Sequence, residues 1–326
     1  MIKRISILML ALVPTMLWGQ FAPEAGVAGT TAMHADSSAF VAWATGCTVD
    51  RGLQRIDDLE SGVANFGKEA YAIGVPGGTM DVISLGDGGS ATLTFASPIC
   101  NALGPDFAVF ENGLVNAQDP TICFLELAFV EVSSDGENFF PFPAISKVQD
   151  TAQLDGFACI HASLIHNFAG KYCAFYGTPF DLDEVEDNAL LDKNKVTHIR
   201  LIDVVGNIDP EYATHDSEGH AVNDPWPTPF GSSGFDLDAV GVIHDLAHND
   251  VAENEMEIVT LYPNPVKDKL FVKIDNLQSV EIYNIVGQMV RTSSSSVVNM
   301  EDLNQGIYFV RIMADGRAIT KRILKQ

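Results

Sequence analysis

Asp236 and Asp238, in Phe235-Asp236-Leu237-Asp238, have the spacing in this chain that most suggests chemistry. Side chains on a β-strand alternate faces, so these two carboxylates share one face while Phe235 and Leu237 take the other. Like charges this close repel, and a cation or the guanidinium of Arg200 would relieve them. Asp106, Glu111 and Asp203 stand at the ends of other expected strands. Together the five would supply the carboxylate oxygens that calcium takes. Taken singly, each also reads as a solvated strand-end carboxylate or a turn former.

The loop over residues 209–230 offers a second constellation. It contains Asp216, Glu218 and Asp224, with Trp226 set between Pro225 and Pro227. Long loops between core strands often carry function. A proline-flanked tryptophan would present a flat face to a sugar ring, and the three carboxylates would bind sugar hydroxyls or a cation. The plainer reading is a rigid loop whose Trp226 covers the core. His215 and His220 suit a transition metal less well than the carboxylates suit calcium.

Catalytic signatures are scarce. No Gly-x-Ser-x-Gly, phosphate loop or dinucleotide fingerprint occurs. Glycoside hydrolysis needs two facing carboxylates. Glu126 and Glu131 are an odd number of residues apart, which puts them on opposite faces of one strand. The five cysteines, Cys47, Cys100, Cys123, Cys159 and Cys173, contain no Cys-x-x-Cys. Pairs Cys159–Cys173 and Cys100–Cys123 are suggested by proximity alone, since spacing does not decide connectivity. No catalytic residue is assigned, and the residues favour binding over turnover.

These groups need strands to position them. Ser90–Phe95 alternates apolar and polar, and short apolar runs follow at 106–110, 124–133, 196–205 and 235–244, separated by Gly, Asp, Asn and Pro. That pattern predicts an all-β sandwich. A short helix is expected only near 181–191.

Charge is uneven along the chain. Residues 21–248 carry 33 acidic against 8 basic side chains; residues 249–326 carry 10 against 9. So acidic a domain repels nucleic acid and anionic membrane surfaces and favours cations. Met1-Ile2-Lys3-Arg4 followed by an apolar run to Trp18 and a small Gly19 reads as a secretory signal peptide over 1–19. No other stretch is long and apolar enough to span a membrane, so no transmembrane span is expected in the mature chain. Residues 246–257 read as an acidic linker open to proteolysis.

The last segment contains Tyr262-Pro263-Asn264-Pro265, Val280-Glu281-Ile282-Tyr283-Asn284, Gly306-Ile307-Tyr308-Phe309-Val310 and Lys321-Arg322-Ile323-Leu324-Lys325, in that order. Residues 258–326 thereby closely resemble the type A C-terminal sorting domain of the type IX (Por) secretion system. The resemblance implies a small immunoglobulin-like sandwich and partnership with the secretion machinery and its sortase. It also implies export through the periplasm to the outer-membrane surface or the medium. Within residues 20–245, Asp106-Phe107-Ala108-Val109-Phe110-Glu111-Asn112-Gly113, Val130-Glu131-Val132-Ser133-Ser134-Asp135-Gly136 and Gly234-Phe235-Asp236-Leu237-Asp238-Ala239-Val240 resemble an uncharacterised family of secreted bacterial cell-surface proteins. The last two also resemble strands of galactose-binding-like jelly rolls, which implies a jelly-roll-like sandwich.

The expectation is a secreted, surface-displayed binding protein, calcium-stabilised and carbohydrate-binding or adhesive, with a surface polysaccharide or glycan as partner. The alternatives are a secreted hydrolase of polysaccharide or ester and a structural surface protein without a small ligand.

Overall fold

A computed structural model describes residues 21–119, 121–248, 259–274, 276–284, 288–314 and 317–326. The signal-peptide reading over 1–19 and most of the linker reading therefore fall outside the described residues. The chain divides into two compact units, Met1–Leu246 and Ala247–Gln326. Both are built from antiparallel strands, as the sequence pattern predicts.

The first unit is a two-sheet sandwich. One sheet runs β1 (Met33–His34), β13 (Tyr176–Phe180), β6 (Phe107–Glu111), β15 (Asp236–Val242) and β2 (Ala42–Trp43), with β4 (Ile83–Ser84) also on β15. The other runs β10 (Phe140–Pro141), β9 (Ala128–Ser133), β14 (Val196–Asp203), β5 (Ser90–Ile99) and β3 (Gly46–Asp50). Two short ladders, β7 (Leu114–Val115) with β8 (Cys123–Phe124) and β11 (Ile145–Ser146) with β12 (Ile165–His166), stand apart.

Burial explains the two kinds of strand sequence. In β5, β9 and β14, buried Ala91, Leu93, Val130, Val132, Ile199 and Leu201 alternate with more exposed residues, because only one face meets the core. In β6, Phe107 and Val109 enter the inter-sheet core while Ala108 and Phe110 pack outward against Phe40 and Trp43. That sheet is covered on both faces, so its strands read as unbroken apolar runs. The helix expected near 181–191 is only a 3-10 turn at Leu182–Glu184, started by the Asp181 carboxylate on the Asp183 N–H.

A second apolar cluster caps the sandwich. It joins Leu125, Leu127, Ile165, Phe168, Val204 and Val222 around a disulfide between Cys123 and Cys173. This pairing replaces both pairs suggested by proximity: the fold, not the sequence interval, brings these two cysteines together.

The second unit is a smaller sandwich. A sheet of β16 (Thr260–Tyr262), β17 (Lys269–Lys273) and β20 (Val297–Asn299) faces one of β19 (Met289–Ser293), β18 (Leu277–Asn284), β21 (Gly306–Ala314) and β22 (Arg317–Lys325). Leu270, Val272, Val280, Ile282, Val298, Val310, Ile312 and Ile323 fill its core. Lys269 and Lys273 stay exposed at the two ends of β17, flanking inward Leu270 and Val272.

Peptide mapping of the secreted chain without reductant should recover a Cys123–Cys173-linked peptide. The double variant Cys123→Ala/Cys173→Ala should lose about 2–4 kcal/mol of stability, because the bond closes a long loop; thermal unfolding measures this.

Candidate functional site

Four strand ends meet at one end of the first unit. β6 ends at Glu111, and its register places Glu111 opposite Leu237, next to Asp236 at the start of β15. β14 ends at Asp203, opposite Ala128 at the start of β9. Glu126 lies just before β9. Its neighbours Leu125 and Leu127 pack into the disulfide cluster, so alternation turns Glu126 the other way.

Antiparallel pairing thus gathers Glu111, Glu126, Asp203 and Asp236 at this end, joined by Asp87, Asp224 and Asp238. All seven are buried. Asp106 is not with them. It precedes β6, whereas Glu111 closes it, and a five-residue strand separates the two by about 17 Å. Asp106 instead accepts the Ala102 N–H at 2.9 Å, the Leu182 N–H at 2.8 Å and a 2.9 Å contact with His244 Nδ1. The expected five-carboxylate calcium set is therefore not assembled as one site.

Most of these carboxylates hold loop backbone. Asp203 accepts the Phe235 N–H at 2.6 Å and the Gly88 N–H at 2.9 Å. Asp224 accepts the Leu127 N–H at 2.9 Å. Asp87 accepts the Ile56 N–H at 2.8 Å and the Trp226 indole N–H at 3.0 Å. Asp238 accepts the Gly77 N–H at 2.8 Å. Two glycines let the chain come this close. A Cβ on Gly206 would lie 1.9 Å from Asp224 Oδ1, and one on Gly234 would lie 2.7 Å from Asp203 Oδ1. Both have positive φ, which glycine adopts at little steric cost.

Glu111 and Glu126 are different. Glu111 Oε2 accepts the Gly113 N–H at 2.6 Å, but its buried Oε1 has no partner. Glu126 is 6 % exposed, and no described residue hydrogen-bonds its carboxylate. Asp236 is held by the Ser84 hydroxyl and by the Asn112 amide at 3.0 Å. Burial pushes the Glu111 carboxyl well above the ordinary range, and Asp236 and Asp238 push it further. Burial does the same to Glu126, followed by Asp236, Glu111, Asp224 and Asp203. Asp203 and Asp224 are also raised well above the usual value, first by burial. Burial raises Asp87, Asp236 and Asp238 to about 6 each. The cation acting on Asp236 is Arg51, not the expected Arg200. Arg51 donates to the carbonyls of Phe66, Ser84 and Gly67. Arg200 pairs with Glu131, its Nε 2.6 Å from Oε2.

A cleft of about 370 Å³ opens above Glu126 and Asp236. Phe124, Phe157 and Phe230 form a row along it, with successive ring centroids 6.3 Å apart. Phe157 is 74 % and Phe230 50 % exposed. Asn112, Leu114, Met80 and Thr228 complete much of the wall. Sequence reasoning missed Phe157 and Phe230. An isolated phenylalanine in a loop carries no spacing that marks it as surface-displayed.

The residues picked from the 209–230 loop do other work. Trp226 is 8 % exposed; its indole N–H is spent on Asp87, and the Arg55 guanidinium lies 5.6 Å from its ring centroid. It covers the core and shows no open face to a sugar. Asp216 accepts N–H groups of Ser146, Glu218 and His220 at 3.0, 2.9 and 2.9 Å. Burial pushes this carboxyl up, but the three donors outweigh it and hold it below the usual value. Glu218 pairs with Lys147. Asp224 belongs to the acidic cluster below the cleft. The free Cys47 thiol is pushed up to about 12 by burial and Glu69, which leaves it protonated and poorly nucleophilic.

A family model described as a secretion system C-terminal sorting domain (Por_Secre_tail) matches residues 260–326. No curated protein matches the chain. Among solved structures, a "Biofilm associated protein - BSP domain" is similar at 10 % identity, over 73 % of this chain and 48 % of that one, with a TM-score of 0.19. The chain thus spans about half the length of that structure, and a TM-score this low carries no argument. The C-terminal unit is a type IX sorting domain. It engages the type IX secretion machinery, which exports the chain to the cell surface or extracellular space. No helix among the described residues is long and apolar enough to cross a membrane.

The raised carboxyls fix the sign of a pH effect. Each binds its proton more tightly folded than unfolded, so the stabilisation is complete below about pH 4 and is lost as pH rises through about 6 and above. In chelator, the melting temperature of the chain should therefore be higher near pH 5 than near pH 8; a flat or opposite profile would contradict the burial of these groups. A chain ending before residue 260 should be retained in the periplasm, as fractionation and immunoblotting would show.

Proposed function

We propose that this is a surface-displayed binding protein whose cleft takes a carbohydrate. The observation that carries this reading is the pairing of an exposed aromatic row with a carboxylate floor in which Glu126 has no hydrogen-bond partner among the described residues. The C–H face of a sugar ring is apolar and packs on aromatic rings, while its hydroxyls seek acceptors. Phe157 and Phe230 provide the first, and Glu126, Asp236 and the Asn112 amide provide the second.

A divalent cation such as calcium belongs to the same proposal. The unpartnered Glu111 Oε1 and the unbonded Glu126 carboxylate are oxygens that a hard cation favours. No three Asp, Glu, His or Cys side chains converge as a ready metal cage among the described residues. The floor therefore suits a cation that keeps positions open for water or sugar hydroxyls, rather than a closed structural site. Glu126 and Asp236, the two carboxylates that line the cleft, would hold it; Asp106 and Asp203 would not.

One observation favours a hydrolase as second reading. Glu126 and Asp236 both line the cleft with raised pKa values, the condition a glycosidase general acid needs. Release of reducing ends from a bound polysaccharide, lost in Glu126→Gln, would select that reading over binding alone.

A glycan array probed with the full secreted chain, in calcium and in chelator, tests the proposal. Binding should appear in calcium and weaken in chelator. Phe157→Ala and Phe230→Ala should each weaken it about tenfold, or about 1.4 kcal/mol, with the melting temperature unchanged. Absence of binding under both conditions would overturn the reading.

A further inference from the structure

A second cavity, of about 510 Å³, shares no lining residue with the first. Its wall includes Phe21, Met33 and Pro179, with Lys171, Thr178 and the His166–Glu184 pair among them. Lys171 is 4 % exposed and is the one buried basic side chain among the described residues of the first unit. Its Nζ donates to the Ile165 carbonyl at 2.7 Å, and no carboxylate lies within ion-pairing distance among the described residues. An ammonium carries three N–H donors, so two remain without a hydrogen-bond acceptor, with the Tyr172 ring centroid 5.5 Å away. Thr178 is also 4 % exposed, and its buried Oγ1 has no partner.

Burying a cation without a counter-charge is costly. Burial pushes the Lys171 amine down to about 8, while Glu24 opposes the shift from farther away, so at neutral pH the group stays mostly charged. Glu184 does not neutralise it. Its carboxylate is engaged by the Asn167 amide at 2.5 Å and by His166 Nε2 at 3.3 Å. Asp181, also on the wall, caps its own turn through the Asp183 N–H at 3.0 Å. The cavity therefore holds an incompletely bonded cation and a free hydroxyl behind apolar walls. Its volume lies in the range of small-molecule sites.

We propose that this cavity binds a small apolar carboxylate, its head on Lys171 Nζ and Thr178 Oγ1 and its hydrocarbon body against Phe21, Met33 and Pro179. The ammonium and hydroxyl each donate to a carboxylate oxygen, and charge-assisted bonds of this kind are the strong ones. No bond is made or broken.

The test titrates the full secreted chain with straight-chain carboxylates from butanoate to decanoate and with the alcohols of the same lengths, followed by calorimetry. The acids should bind saturably and tighten about three- to fourfold per added methylene until the cavity is full. Each alcohol should bind at least about tenfold more weakly than its acid. Lys171→Met should erase the preference for acids, and Thr178→Val, which keeps the volume, should weaken acid binding while leaving alcohol binding in place. Circular dichroism of both variants checks that they fold; if Lys171→Met does not, Thr178→Val alone decides. No saturable binding by any acid, equal affinity for acids and alcohols, or unchanged acid affinity in a folded variant would each overturn the proposal. The outcome is independent of the glycan array, since neither cleft contributes to the other.

Discussion

Carboxylates removed from water are the constraint that shapes the first unit. Their burial is unfavourable unless something satisfies them. Asp87, Asp203, Asp224 and Asp238 are satisfied by backbone N–H groups of loops that would otherwise leave those donors unpaired. Each bond fixes a loop against the end of the sandwich, so the acidic cluster organises the loops as much as the loops bury it. Glu126 lacks that compensation and stands where the loops open into a cleft, and the buried Glu111 near it keeps one oxygen unpartnered. The floor and the scaffold are thus one structure, with Glu126 facing the cleft and the paired members holding the walls.

The aromatic row depends on the same arrangement. Phe230 follows the segment in which Trp226 is tied to Asp87, and Phe124 lies beside the disulfide half Cys123. Phe157 lies between them, its ring at equal centroid distance from both neighbours. Rings so exposed cost solubility in a soluble domain unless they serve a partner. The high net acidity of residues 21–248 offsets that cost and is concentrated in the unit that carries the cleft.

Much of the fold was legible in the sequence because strand periodicity is local. The alternation in β5 and the run through β14 are written in their own residues, and so are the sorting-domain motifs. The disulfide and the site were not local. Asp106 and Glu111 look like neighbours in sequence, but they cap opposite ends of β6. Glu126 carries no sequence signal of a site, because its obvious partner, Glu131, faces the other way. Its actual neighbours, Glu111 and Asp236, arrive from the other sheet. The flanking prolines make Trp226 read as displayed. Its indole N–H instead found a buried carboxylate from a segment well over a hundred residues earlier, which no spacing rule reveals.

The most direct test of the account is thermal unfolding of the full secreted chain near neutral pH, in millimolar calcium and in chelator. A ligand that binds only the folded state raises the melting temperature by mass action. The account predicts a clear rise in calcium at neutral pH that shrinks near pH 5, where protons already neutralise the cluster. It also predicts loss of the rise in Glu126→Gln. An identical melting temperature in calcium and chelator at neutral pH would contradict it, and would leave the acidic floor as a device for holding loops alone.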